Sequence, residues 1–243
     1  DAVLDAGASL VEQPSPAAGA AVGAGVWRLD GHQKVNFSEV FGADHWPNDA
    51  LLIRAIRSPH FHAAFTFGDI EEWQSRHPFI EKIVTAADIA GVNAFGVIPP
   101  FADQPALAET ITRFRGEAVA LVVGDADQLA SFDLGDFPIV WTPREPVMSS
   151  EEARAAKEII LHENRDGNVL ITGRVKSGDG AAGLDHGEIV VDATISTSYV
   201  EHAPIEPEAG CAWMDGDIVT IAACTQAPIM DQEDTAKVLG LPV

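Results

Sequence analysis

Short apolar runs broken by Pro, Gly or Asp dominate the first two thirds of the chain: Leu51 to Ile56, Phe61 to Phe67, Ile80 to Val84, Glu117 to Val123 and Phe137 to Trp141. Runs of this length bounded by turn formers read as strands. Between them, Asp69 to Gln74 and Gln104 to Thr112 carry apolar residues at helical spacing, and Ser149-Ser150-Glu151-Glu152 has the form of a capped helix start running to about Lys157. Further on, Asn168 to Val175, Glu188 to Tyr199 and Asp217 to Cys224 read as longer extended segments. β-Branched residues crowd Ile189 to Thr197 in particular, and they suit a pleated surface better than a helix. A last helix is predicted from Met230 to Gly240, with Asp231, Glu233 and Asp234 at its positive end. The pattern predicts an α+β fold.

Two stretches lack periodicity. Residues 1–25, rich in Ala, Gly and Pro, read as a poorly ordered arm without the basic start and compact apolar core of a secretory signal. The polar stretch His162 to Gly167, with its Asp-Gly turn, reads as a linker. The expected divisions are therefore 1–25, 26–161 and 168–243.

Composition narrows the function classes. A 47% hydrophobic and 21% charged chain with mean hydropathy +0.08 can build a real core, and no stretch approaches the roughly 18 apolar residues of a membrane span. The formal charge of −22 repels phosphate backbones, which argues against nucleic acid as a partner. Two cysteines, Cys211 and Cys224, cannot supply the four thiolates of an ordinary iron–sulfur cluster, so any such cluster is expected on another chain. The start at Asp1 without a Met and the end at Val243 directly after a helix suggest part of something larger.

Four constellations invite chemistry. Gly178-Asp179-Gly180-Ala181-Ala182-Gly183 has the spacing of a dinucleotide fingerprint, but the β-branched run that soon follows leaves no room for the required helix, so it reads as a loop. His60 and His62 would share a face of an extended chain and could grip a metal, yet no third ligand lies nearby, and a structural pair is the preferred reading. His202 with Glu206 and Glu208 offers an acid/base set, against which stands a stiff Pro-rich turn whose polar groups bond its own backbone. Gln226, after Cys224-Thr225, can orient a ligand but cannot act as a base, and Cys224 reads as a small core residue.

Three stretches taken together resemble the large subunit of molybdenum hydroxylases of the xanthine dehydrogenase/aldehyde oxidase family. Arg57-Ser58-Pro59-His60-Phe61-His62-Ala63 and Thr85-Ala86-Ala87-Asp88-Ile89-Ala90-Gly91-Val92 are similar to R-S-P-H-A-H-A and T-A-x-D-I-P-G-V. Arg115 to Val123 is similar to the V-G-E-P-V-A-L-V-V strand, and His202 to Glu208 with Thr225-Gln226 resembles the H-x-x-x-E-P and T-Q signatures.

The resemblance implies an α/β-hammerhead domain over 26–161, then the first segment of a molybdopterin-binding domain over 168–243. It implies hydroxylation of an aldehyde or N-heteroaromatic small molecule with oxygen from water at a molybdenum-molybdopterin cofactor, with electrons leaving through [2Fe-2S] clusters and FAD on partner chains or domains. Gln226 is the one cofactor-binding residue it implies; no catalytic or metal-ligating residue is carried over. The G-G-G-F-G-G segment and the family's activating glutamate do not occur downstream of Gln226, so the chain is expected to share its cofactor with the remainder of the molybdenum subunit and to be inactive alone. An iron–sulfur subunit and an FAD subunit are the further expected partners. The compartment reading is cytoplasmic, with the periplasm left open. A non-catalytic assembly or binding module built on the same fold is the alternative, and a hydrolase using Glu206 and Glu208 is a distant third.

Overall fold

The computed structural model describes residues 28–44 and 46–243. The N-terminal arm expected over 1–25 lies outside them. In chain order the elements are α1 (Gly31–Asn36), β1 (Leu52–Arg57), β2 (Ala63–Phe67), α2 (Ile70–Ser75), β3 (Ile80–Thr85), β4 (Ile111–Thr112), β5 (Ala118–Gly124), α3 (Ala126–Ser131) and β6 (Ile139–Pro143). They continue with α4 (Ser150–Ala155), α5 (Gly180–Asp185), β7 (Gly210–Asp215), β8 (Ile218–Ala223) and α6 (Pro228–Leu239). Mixed helix and sheet bear out the α+β class. Among the described residues no helix is long and apolar enough to cross a membrane.

The chain forms two compact units. The larger holds Pro47–Ala203 and Thr225–Val243. Its core lies around two antiparallel three-stranded sheets, ordered β1-β5-β3 and β4-β2-β6. β5 is central because its Ala-Val-Ala-Leu-Val-Val run suits a strand covered on both faces, and it pairs along its length with β1 and β3. Gly124 ends it where a bulge in β3 brings Phe79 O within 2.4 Å of any Cβ, so only glycine closes that register.

Ile56, Ile83, Ala120 and Val122 from the first sheet meet Phe65, Trp73, Leu129 and Phe137 in one buried cluster. Both short helices that cover it start on aspartate caps. Asp69 Oδ1 accepts Glu72 N at 2.8 Å to open α2, which buries Trp73, and Asp125 Oδ1 accepts Gln128 N at 3.0 Å to open α3, which buries Leu129. Arg54 closes α3 from β1, donating to Leu129 O at 2.9 Å and Phe132 O at 2.5 Å, where a cation meets the negative end of a helix.

All five short apolar runs form strands, with ends shifted by no more than a residue or two, and the departures elsewhere have physical causes. Gln104 to Thr112 is not helical. Its backbone bonds instead to Phe95 through a bridge at Gln104, to Asn93, which brackets Leu107 N and O at 3.2 and 2.8 Å, and to Ala118 O through Ala108 N at 2.8 Å. Only Ile111–Thr112 adds a strand, β4. Asn168 to Val175 and Glu188 to Tyr199 are not strands: among the described residues no ladder partner reaches them, and Val175, Ile195 and Tyr199 are fully or almost fully exposed. Of the three longer segments, Asp217 to Cys224 alone forms a strand, β8, and it pairs with β7, whose Cys-Ala-Trp-Met sequence carries no strand signature of its own.

His162 to Gly167, read from sequence as a linker, is anchored. Arg165 grips Asp103 Oδ2 at 2.6 Å and lies over the Phe101 ring at 5.1 Å, His162 Nδ1 stands 3.2 Å from the same carboxylate, and Arg113 Nε donates to Leu161 O at 2.9 Å. Asn168 ties the segment off, accepting Leu161 N at 2.9 Å and donating to Ile159 O at 2.7 Å.

The smaller unit holds the described part of 1–46 together with Pro204–Cys224. It is built on the β7–β8 hairpin, against which Gly42 packs so closely that a Cβ would meet Ala209 O at 3.2 Å. α1 ends on Phe37 at φ 63°, a left-handed cap that Asn36 supports by accepting Ser38 N at 3.0 Å and Ser38 Oγ at 2.6 Å.

Candidate functional site

The residues singled out by sequence do not converge on one cleft. His60 and His62 are a structural pair. His62 Nδ1 bonds Glu145 O at 2.8 Å, the His60 ring meets Trp141 edge-on at 5.8 Å, and the loop between β1 and β2 is knotted by Ser58 Oγ, which accepts His60 N and Thr112 Oγ1 and donates to His60 O. Among the described residues no three His, Cys, Asp or Glu side chains are grouped to hold a metal ion.

The Gly178 to Gly183 stretch departs from expectation in one respect. A helix does follow, α5, capped by Asp179 accepting Ala182 N at 3.3 Å, because two alanines and a capping aspartate suffice for six solvent-exposed residues. No strand precedes it, so the strand–turn–helix context that a dinucleotide site requires is not formed.

His202 belongs to the larger unit and Glu206 and Glu208 to the smaller one. Glu206 accepts Gly42 N at 3.5 Å, and both glutamates face Cys224. Burial pushes the Cys224 thiol above its ordinary range, and the two carboxylates push it further in the same direction, which favours the protonated thiol.

Gln226 has a different setting. It occupies the bend that leads into α6 and is exposed, and among the described residues no protein group hydrogen-bonds its amide. Its neighbours are fixed. Thr225 Oγ1 donates to Asp231 Oδ2 in the first turn of α6 and accepts Ala227 N at 2.9 Å, which closes a ring around the Gln226 backbone. α6 then opens on Pro228 without a side-chain cap, and Asp231 N donates to Ala227 O at 3.1 Å.

Twelve residues later, α6 ends on a Schellman turn. Gly240 stands at φ 69°, with Gly240 N donating to Lys237 O and Leu241 N to Ala236 O. Two of these terminal carbonyls also accept from a distant part of the chain: Gly91 N donates to Val238 O and Val92 N to Lys237 O, each at 3.0 Å. A Cβ on Gly91 would meet Lys237 O at 2.0 Å, Gly240 N at 2.5 Å and Val238 O at 2.8 Å. The turn that carries Gly91 is set by Asp88, whose Oδ2 accepts Thr85 N at 2.8 Å and Thr85 Oγ1 at 3.0 Å. Those bonds, first the backbone one, together with the charge of Lys82, hold the Asp88 carboxyl below the usual aspartate range. From sequence, Asp231 stands out only as a favourable charge and Gly91 only as a motif letter; the available signal is a glycine set between two apolar residues.

Comparison with known proteins bears on the region that contains this loop. Residues 161–243 match the model of the molybdopterin cofactor-binding domain. The chain is 29% identical over 216 residues to the nicotinate dehydrogenase large molybdopterin subunit of Eubacterium barkeri, covering 88% of this chain and 50% of that protein. The chain is a relative of molybdenum hydroxylase large subunits.

A probable xanthine dehydrogenase subunit of Bacillus subtilis (strain 168) is 30% identical over 164 residues, covering 67% of this chain and 22% of that one. The fold agrees with that of quinoline 2-oxidoreductase from Pseudomonas putida 86, at a TM-score of 0.75 and 24% identity, over 89% of this chain and 28% of that one. This large-subunit relative thus spans about half the length, or less, of the proteins it matches. Gln226 and α6 lie inside its molybdopterin-binding match. A free amide at a fixed bend offers two N–H donors and one acceptor, which suits the oxo groups and ring heteroatoms of such a cofactor.

Proposed function

We propose that this chain forms part of the molybdopterin-binding subunit of a molybdenum hydroxylase of the xanthine dehydrogenase/aldehyde oxidase type, acting on an aldehyde or N-heteroaromatic substrate with water as oxygen source. The observation that carries the reading is the exposed, unengaged Gln226 amide on a loop braced by Thr225 and Asp231, within the cofactor-binding match. In this reading residues 26–161 form the hammerhead domain and 168–243 open the cofactor domain. When bound, the molybdenum cofactor supplies the two-electron oxidation of substrate. Gln226 donates a hydrogen bond to it, and Thr225 and Asp231 hold the bend from which that amide reaches. The remainder of the cofactor site would come from further molybdenum-subunit sequence, and [2Fe-2S] and FAD centres, which would supply the electron exit, would be held by partner chains or domains, in keeping with a chain that has only two cysteines.

Co-purification followed by metal analysis tests the assignment: a native complex containing molybdenum is expected, and a complex that assembles without molybdenum would favour the non-catalytic module. In the assembled enzyme, Gln226→Ala is expected to lower turnover by about 10²-fold, the scale of one preorganised donor lost, with the circular dichroism spectrum unchanged. Unaltered turnover would remove Gln226 from the site.

A further inference from the structure

Resting on that reading, we propose that Gly91 is a positioning residue for the Gln226 loop, acting through α6 as a rigid strut latched at both ends. A twelve-residue helix is about 18 Å long and does not bend readily without Pro or Gly in its interior, and α6 has neither beyond its first position. Its far end is fastened by the Gly91 and Val92 amides to the turn after β3, and β3 is paired to the central strand of the larger unit's first sheet. Its near end is fastened by the Thr225–Asp231 bond, with Gln226 enclosed between Thr225 and Ala227. The position of Gln226 is thereby referred to the sheet rather than to its own exposed loop.

The latch requires glycine. Gly91 lies at an ordinary backbone angle, so the constraint is closeness and not conformation: three backbone atoms of the α6 terminus occupy the space a Cβ would take. Relieving the 2.0 Å approach to Lys237 O moves the helix end by about 1 Å, and misplacement on that scale at a reacting centre costs about 10²-fold in rate. The T-A-A-D-I-A-G-V segment then has a physical role, in which Thr85 and Asp88 shape the turn while Gly91 and Val92 present their N–H groups to α6.

The test uses the assembled complex carrying Gly91→Ala, with Val92→Ala as a control that keeps both amides. Hydrogen exchange read at residues 225–231 is expected to accelerate at least tenfold in Gly91→Ala and to stay unchanged in Val92→Ala. The Mo(V) electron paramagnetic resonance signal is expected to shift and kcat to fall 10- to 100-fold, with molybdenum content retained. If Gly91→Ala assembles poorly, Asp88→Ala loosens the same turn without a clash and is expected to give the same changes, smaller in size. Native exchange at 225–231 in both variants would overturn the proposal, as would faster exchange with an unshifted Mo(V) signal while Gln226→Ala shifts it. Faster exchange with a silent Gln226→Ala variant supports the strut and overturns the cofactor reading, which keeps the two failures apart.

Discussion

β5 and the segment Glu188 to Tyr199 are built from the same kind of residue and end up in opposite states. Ala118 to Val123 pairs with a strand on each side and buries Val119 and Val122 completely. Ile189-Val190-Val191 and Ile195, at least as rich in β-branched side chains, lie exposed in irregular backbone, from 57% at Val190 to 86% at Ile189 and Ile195. Intrinsic preference is therefore the same and partnership differs. β-Propensity measures how well a side chain suits a half-buried pleated surface, and it has no purchase where no neighbouring strand supplies that surface.

Three experiments press on this difference. Trp73→Ala removes the largest fully buried side chain beneath the sheets, together with the Nε1 bond to Asp136 Oδ1, and is expected to cost about 3–5 kcal/mol in a denaturant titration. A loss below about 1 kcal/mol would mean that the ordered region is not held by its core. Arg165→Gln, which unpins the segment where order gives way to irregular chain, is expected to cost about 1–2 kcal/mol because a charged hydrogen-bond donor is lost from a half-buried pair. The same pair sets a pH dependence. Burial raises the Asp103 carboxyl, but hydrogen bonds from Arg165 and the charges of His162 and Arg165 outweigh it and leave the group below its ordinary value. Its contribution is present above the unfolded pKa of about 3.9 and is lost as pH falls through the lower folded value, so thermal melts of wild type and Arg165→Gln should converge on acidification below about pH 4. Val191→Asp is expected to change the stability of the chain alone by no more than about 0.5 kcal/mol, since Val191 is 83% exposed, yet to weaken recovery of a complementary molybdenum-subunit chain. A large loss of stability in the isolated chain would show that the exposed segment has a partner within this chain.

What can be read from sequence follows the same division. Helices with their own caps are visible because the signal is local: Asp69, Asp125 and Ser149 each accept the amide three residues on. Strands that pair within the chain are visible as apolar runs, β1, β2, β3, β5 and β6 among them. β4 and β7 are not, because each is short of β-branched residues or of length and is strand only by its neighbour's ladder. Gln104 to Thr112 misleads for the converse reason, as Asn93 and Ala118 take the backbone groups that a helix would have used on itself. At the candidate site, Gln226 is legible through resemblance alone. Its bracing by Asp231 and Gly91 depends on contacts that sequence spacing does not express.

The latch also dictates an order of events during synthesis. Gly91 and Val92 are separated from the carbonyls they serve by roughly 150 residues, which at about 5–20 residues per second is about 7–30 s of translation. The β3 turn is completed with its two amides open long before α6 exists to receive them, and the closure is among the most non-local contacts of the fold, the kind that forms late. The Gln226 bend is accordingly one of the last features to acquire its native geometry. A nascent chain can have its sheets and its buried tryptophan in place while the loop assigned to the cofactor is still searching.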